Sequence, residues 1–247
     1  MTRDDEEERN TRIKKLSRMG KRHALAGGEN QDALRGGQDR RLCVISLADG
    51  VSGCREAKRG AEIAGEAITE LFLKKGEHFL EFSDAQVGDF ALAHILAELR
   101  QAAAEADLPL EEYSSTVASV LVDKRTRRML CFNLGDGMIL AAEGGKCRVL
   151  SMPADSTSGC CVTTTCRAGE LVSVRRFVLE GMESVVILSD GAWRELFSRA
   201  RLRPEAAAMI AAGDYDALGE YLIRRECMDD FSFITADMRQ NNGREPV

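Results

Sequence analysis

The apolar pattern of the chain is set by one stretch, Val44-Ile45-Ser46-Leu47-Ala48-Asp49-Gly50-Val51-Ser52-Gly53, a short run of largely β-branched and aliphatic residues that stops abruptly at Asp49-Gly50. Such a run predicts a buried strand, here one that carries a carboxylate to its own tip. The ending recurs downstream in Val185-Val186-Ile187-Leu188-Ser189-Asp190-Gly191. Between the two, Ala57, Ala61, Ala64, Ile68, Leu71 and Phe72 recur at helical spacing and predict a helix over 55–76; Phe90, Ala93, Leu96, Leu99 and Ala103 predict a second over 84–106. From residue 115 the period shortens. Runs at 116–122, 128–134, 138–142 and 146–150, separated by turn residues such as Gly135-Asp136-Gly137 and Gly144-Gly145, predict an antiparallel meander. Residues 151–169 lack large apolar groups and read as a long surface loop. Strands at 171–179 and 184–189, helices from 192, over 204–212 and over 215–226, and a strand at 231–236 complete the pattern. Residues 1–22 are densely charged, with only Ile13, Leu16 and Met19 forming a thin stripe, and predict a solvated helix.

With no repeats and no clear linker, the 247 residues divide into a charged segment (1–20), one domain (21–238) and a polar tail (239–247). The net charge of −6 argues against a nucleic-acid surface. No apolar run approaches the ~18 residues of a membrane helix, and the charged N-terminus is no signal peptide. The eight cysteines then read as reduced cytoplasmic thiols; Cys160, Cys161 and Cys166 lack paired zinc-ligand spacing. His78 and His94 read as ordinary helix residues, and the cations from Lys14 to Arg22 as a solvated face.

Carboxylates at strand ends are the chemistry that stands out. Asp49, Asp190 and the pair Asp229-Asp230 sit at the ends of three apolar runs, and Asp32 lies in the loop Gly27-Gly28-Glu29-Asn30-Gln31-Asp32 just before the first. Gly50 lets the backbone turn and offers a bare carbonyl beside Asp49. Carboxylate and carbonyl oxygens are hard ligands suited to Mg²⁺ or Mn²⁺. Two such ions about 3.5–4 Å apart, sharing one carboxylate, acidify a water and neutralise a phosphate under attack. Each Asp-Gly taken alone is equally a hairpin turn, and Asp136 equally a hairpin aspartate.

In chain order, the pieces Asn30-Gln31-Asp32-Ala33, Ala48-Asp49-Gly50-Val51-Ser52-Gly53, Asn133-Leu134-Gly135-Asp136-Gly137, Leu188-Ser189-Asp190-Gly191 and Asp229-Asp230-Phe231-Ser232-Phe233-Ile234 resemble the metal-dependent protein phosphatases, the type 2C serine/threonine phosphatases, in a bacterial-like form. The resemblance spans about residues 20–238. It implies an α+β fold, a four-layer α-β-β-α sandwich of two antiparallel sheets with helices packed outside. It also implies two Mn²⁺ or Mg²⁺ ions, with Asp49 bridging both, the Gly50 carbonyl on one, Asp190 and Asp229 on the other, and Asp32 orienting water. Asp136 matches the position tied to a third, weaker ion in bacterial members. The implied activity is hydrolysis of phosphoserine and phosphothreonine in a phosphoprotein that a serine/threonine kinase has modified, by a cytoplasmic monomer with no nucleic-acid or membrane partner.

Departures from the family pattern also stand in the sequence. The phosphate-clamping arginine of many members falls near Gly27, where Lys21, Arg22 and His23 are the nearby cations. Gln31 replaces an acidic residue, Val51 a histidine, Asp230 an asparagine, and Arg194 stands where an aspartate often supports the third ion. An inactive pseudophosphatase that binds without hydrolysing is therefore the first rival, and a two-metal hydrolase of nucleotides or diesters the second. The loop over 151–169 falls where the family carries a variable flap, and its expected role is substrate selection.

Overall fold

The computed structural model describes residues 11–154, 162–165 and 168–239. In chain order its elements are β1 (Arg12–Arg18), α1 (Lys21–Leu25), β2 (Asp32–Gln38), β3 (Leu42–Asp49), α2 (Ala57–Phe79), α3 (Asp84–Ala106), β4 (Val117–Asp123), β5 (Arg128–Leu134), β6 (Met138–Glu143), β7 (Lys146–Ser151), α4 (Ala168–Leu171), β8 (Ser173–Val178), β9 (Met182–Leu188), α5 (Asp190–Leu196), the two-residue strands β10 (Phe197–Ser198) and β11 (Arg201–Leu202), α6 (Pro204–Ala212), α7 (Tyr215–Arg224) and β12 (Phe231–Asp237). One five-stranded sheet has the order β1-β12-β9-β6-β7 and the other β2-β3-β4-β5-β8. Every pairing in both is antiparallel.

Three apolar layers stack these sheets. Alternate side chains along β3 point to opposite faces. Val44 and Ala48 join Ala61, Ala64, Ile68 and Phe72 of α2 and Ile95 and Leu99 of α3. Cys43, Ile45 and Leu47 instead meet Ile139 and Ala141 of β6, Val185 and Ile187 of β9, and Ile234 of β12 between the sheets. On the far side Leu140, Val186, Leu188 and Phe233 pack against Leu196, Ile210, Leu218 and Leu222 of α5, α6 and α7. The result is the expected α-β-β-α sandwich. Because the inner strands are covered on both faces, they read as unbroken apolar runs rather than alternating ones.

Local signals place most elements where the sequence predicts them. At the start of α3 the Ser83 hydroxyl accepts from the Gln86 N–H while the Gln86 side chain accepts from the Ser83 N–H, a closed capping box; the helix ends on Asp107 in a left-handed conformation, φ 55°.

The N-terminal segment differs from expectation. Residues 12–18 form an edge strand paired along its whole length with β12, from Arg12 opposite Asp237 to Arg18 opposite Phe231, and not a helix. Its apolar positions are too few to impose a period. The unpaired N–H and C=O groups of β12 supply the interaction that decides the conformation, and the basic side chains of β1 suit a sheet edge. The loop over 151–169 differs as well: Val162 and Thr163 are buried, and the Thr163 N–H donates to the Ser115 carbonyl at 2.9 Å. Cys160, Cys161 and Cys166 lie outside the described residues, as do residues 1–10 and 240–247. Among the described residues Cys43, Cys54, Cys131, Cys147 and Cys227 are free thiols.

Candidate metal centre

Asp32 opens β2 and Asp49 closes β3, and the ladder sets the two directly opposite each other. Neighbouring strands in this register hold Cβ atoms about 5 Å apart, so pairing alone delivers two carboxylates to one end of one sheet. Backbone contacts fix the second. The Gly50 N–H donates to the Gln31 carbonyl at 3.2 Å, the Thr116 N–H to the Asp49 carbonyl at 2.8 Å, and the Val51 N–H to the Ser114 carbonyl at 3.0 Å. A Cβ on Gly50 would stand 2.5 Å from the Ala57 carbonyl oxygen, so the close approach of α2 demands glycine.

The other sheet repeats this arrangement. β9 ends at Leu188, and Ser189 is held to Ser232 by a backbone bond at 3.0 Å and a hydroxyl contact to the Ser232 N–H at 2.9 Å. Asp190 then begins α5, next to the turn Asp229-Asp230 that leads into β12. A Cβ on Gly191 would stand 2.1 Å from the Asp230 carbonyl oxygen. The structure thus brings Asp32, Asp49, Asp190 and Asp229 to one end of the sandwich from both sheets. Asp136 joins them from the β5–β6 turn, where its carbonyl accepts from the Trp193 indole N–H at 2.8 Å.

So much negative charge in little water raises the proton affinity of the site. Burial, with the charges of Asp230 and Asp190 behind it, pushes the Asp32 carboxyl up to about 7. Asp49 is driven well above the ordinary carboxylate range by burial first, then by Asp32, Asp190, Asp136 and Asp229. Burial and Asp136 raise Asp190, with Arg194 pulling the other way. Neither Asp32 oxygen has a partner in hydrogen-bonding geometry among the described residues. The hydroxyls of Ser232 and Ser189 ease the charge; Ser232 donates to Ser17, while Ser189 accepts from the Ser232 N–H and keeps its own proton to offer. Buried polar atoms without partners are costly and uncommon.

Two arginines enter this acidic end. Arg194 bonds Asp190 one helical turn before it. Arg22, on α1, donates to Asp229 at 2.7 Å and is itself raised by that bond. Lys21 pairs with Glu226, away from the acids at the strand ends. Among the described residues no three acidic, histidine or cysteine side chains already converge closely enough to ligate one ion. The donor set is nonetheless entirely oxygen, strongly anionic and partly orphaned, and such a set fits Mg²⁺ or Mn²⁺.

Asp230 is the residue whose role the sequence hides. Its carboxylate accepts from the Gly20 and Gln31 N–H groups, each at 2.7 Å, and contacts His23 Nδ1 at 2.8 Å. It ties α1 and the Asp32 loop to the turn carrying Asp229, contacts that span about two hundred residues and leave no local signature beyond the neighbouring Asp229.

The fold has many counterparts among solved structures. The serine/threonine phosphatase Stp1 from Staphylococcus aureus superposes with a TM-score of 0.66 at 14% identity, covering 94% of this chain and 96% of that one. A serine/threonine phosphatase from S. agalactiae gives 0.64 at 17% identity, over 93% and 100%. A C. elegans sex determining protein gives 0.67 at 13% identity, over 93% of this chain and 65% of that one. At such identities the likeness is one of fold. No curated protein matches the chain by sequence. The family model for protein phosphatase 2C, however, matches residues 19–223, most of the chain. On that match and the shared sandwich, the chain belongs to the protein phosphatase 2C family.

Proposed function

We propose that the chain is a metal-dependent phosphatase that hydrolyses phosphoserine and phosphothreonine in a protein substrate, the product of a serine/threonine kinase. The observation that carries this reading is the buried Asp32 carboxyl, set opposite Asp49 and under the charges of Asp230 and Asp190, with no cation paired to it among the described residues. A domain gains nothing in stability from such an arrangement, and a cation relieves it. Two divalent ions would supply an acidified water and neutralise the phosphate charge. Asp49, the Gly50 carbonyl, Asp190 and Asp229 would hold them. Asp32 would orient the attacking water. Arg22, brought to the acidic end by α1, would meet the phosphate in place of the missing clamp. Among the described helices none is long and apolar enough to cross a membrane.

A pseudophosphatase is the second reading, favoured by the engagement of Asp190 and Asp229 with arginines. Phosphate release from a phosphothreonine peptide with Mn²⁺, Mg²⁺ or chelator separates the two. We expect metal-dependent release that falls about 1,000-fold in Asp49→Asn while the circular dichroism spectrum is unchanged, a loss of roughly 4 kcal/mol in transition-state stabilisation. Peptide binding without release under any metal would establish the pseudophosphatase.

A further inference from the structure

We propose that the Arg194 guanidinium is a built-in cation that takes the place of a third divalent ion, linking Asp190 to Asp136. This inference rests on the two-ion reading above.

The geometry joins three elements. Asp190 and Arg194 lie four residues apart on α5, so their side chains share one helix face, and Nη1 bonds Asp190 Oδ2. The same guanidinium extends Nη2 to within 3.8 Å of Asp136 Oδ2, on the turn between β5 and β6. An ordinary pair on a helix surface joins one acid to one base; here one fixed cation faces two acids from separate elements. Its position is held from behind. Trp193 donates to the Asp136 carbonyl at 2.8 Å, its ring packs edge-on against Phe197 with centroids 6.0 Å apart, and the guanidinium lies 5.7 Å from the indole. The neighbouring residue thus locks the Asp136 turn to α5, and Arg194 neutralises the side-chain charge that this locking brings together.

Chemistry separates a guanidinium from a bound ion in two ways. It carries one permanent positive charge that no chelator removes, and it presents donors without open coordination positions. Asp190 keeps one oxygen free of Arg194, so it can still ligate an ion on its other side. Asp136 offers a divalent ion little beyond a carboxylate already opposed by positive charge. The chain should therefore take two ions where an arginine-free relative of the same geometry would take three.

The test is Mn²⁺ stoichiometry and affinity by equilibrium dialysis on the full chain, after chelator treatment and at neutral pH. Wild type, Arg194→Ala, Arg194→Lys and Asp136→Asn would be compared, with circular dichroism to verify folding. Two sites in wild type, a third and weaker site in Arg194→Ala, and a return to two in Arg194→Lys are the expected results. A merely structural arginine would not alter the number of ions, nor would lysine reverse the change. Asp136→Asn decides independently should Arg194→Ala not fold: two sites before and after support the proposal, whereas three falling to two overturns it. An Arg194→Ala protein that folds and binds Mn²⁺ as wild type does also overturns it. If wild type binds no Mn²⁺, the two-ion reading itself fails, and the proposal with it.

Discussion

At Asp49-Gly50 the backbone leaves β3 pressed against Ala57; at Asp190-Gly191 it leaves β9 pressed against Asp230. In both places glycine is required for the same reason, a backbone carbonyl oxygen standing where a Cβ would have to go. The electrostatics are opposite. Asp190 has Arg194 one turn away to pull its carboxyl down, while the charges that act most strongly on Asp49 are all carboxylates that push it up. Two identical dipeptides at the ends of two similar strands thus share a packing problem and differ in charge compensation. A motif of this kind encodes backbone geometry. What the carboxylate does depends on which charges the rest of the chain brings to it.

The packing half of this comparison breaks most visibly. Gly191→Ala would put a methyl 2.1 Å from the Asp230 carbonyl oxygen, and Gly50→Ala one 2.5 Å from that of Ala57, both backbone atoms with little room to give. We expect each to cost about 2–3 kcal/mol in urea unfolding of the metal-free protein. Variants within about 0.5 kcal/mol of wild type would show that the approach is soft and that glycine is not needed there.

The charge half gives the next largest effect, and its sign is opposite. Asp32 has a raised proton affinity, so its contribution to stability is fully present below about pH 4, where the carboxyl is neutral folded or unfolded, and is lost as pH rises toward 7. Asp32→Asn should therefore stabilise the metal-free protein at pH 8 by on the order of 2 kcal/mol, about 4–8 °C in Tm, and flatten the pH dependence. Equal melting of mutant and wild type across that range would remove the case for a strained acidic cluster. Smallest is the effect of Arg22→Ala. Its pair with Asp229 is 57% exposed on the arginine side, and we expect under about 1 kcal/mol, shrinking further in high salt.

The elements that sequence period resolves are those whose environment is decided locally or by full burial. α3 matches its predicted limits because Ser83 and Gln86 close one end, and β4 to β7 match theirs because turn residues bracket apolar runs. Two edge strands escape this logic. In β1, Arg-Ile-Lys-Lys-Leu-Ser-Arg spaces its apolar residues three apart, and in β2 the segment Asp-Ala-Leu-Arg-Gly-Gly-Gln carries almost no apolar pattern. β1 takes its conformation by adding to the ladder of the distant β12, and β2 by folding back on β3 across a short turn. The same reason governs the site. Asp49 and Asp190 are readable because they end strands, whereas the Arg22–Asp229 bond and the hold of Asp230 on Gly20 and Gln31 join positions about two hundred residues apart. Arg194, four residues from Asp190, lay within reach of helix periodicity.

The antiparallel ladder of β1 and β12 also sets an order of assembly. Arg12 meets Asp237 only after every intervening element has been made, and the closing strand begins two residues past Asp229. On a ribosome the sheet of β2, β3, β4, β5 and β8 can form while the chain is still growing, but β1 cannot join β9 in the other sheet until β12, which lies between them, has been made. Closure over so long a separation pays its loop entropy late and is slow. A growing chain can thus hold Asp32 and Asp49 opposite each other on β2 and β3 before Asp229 has been synthesised.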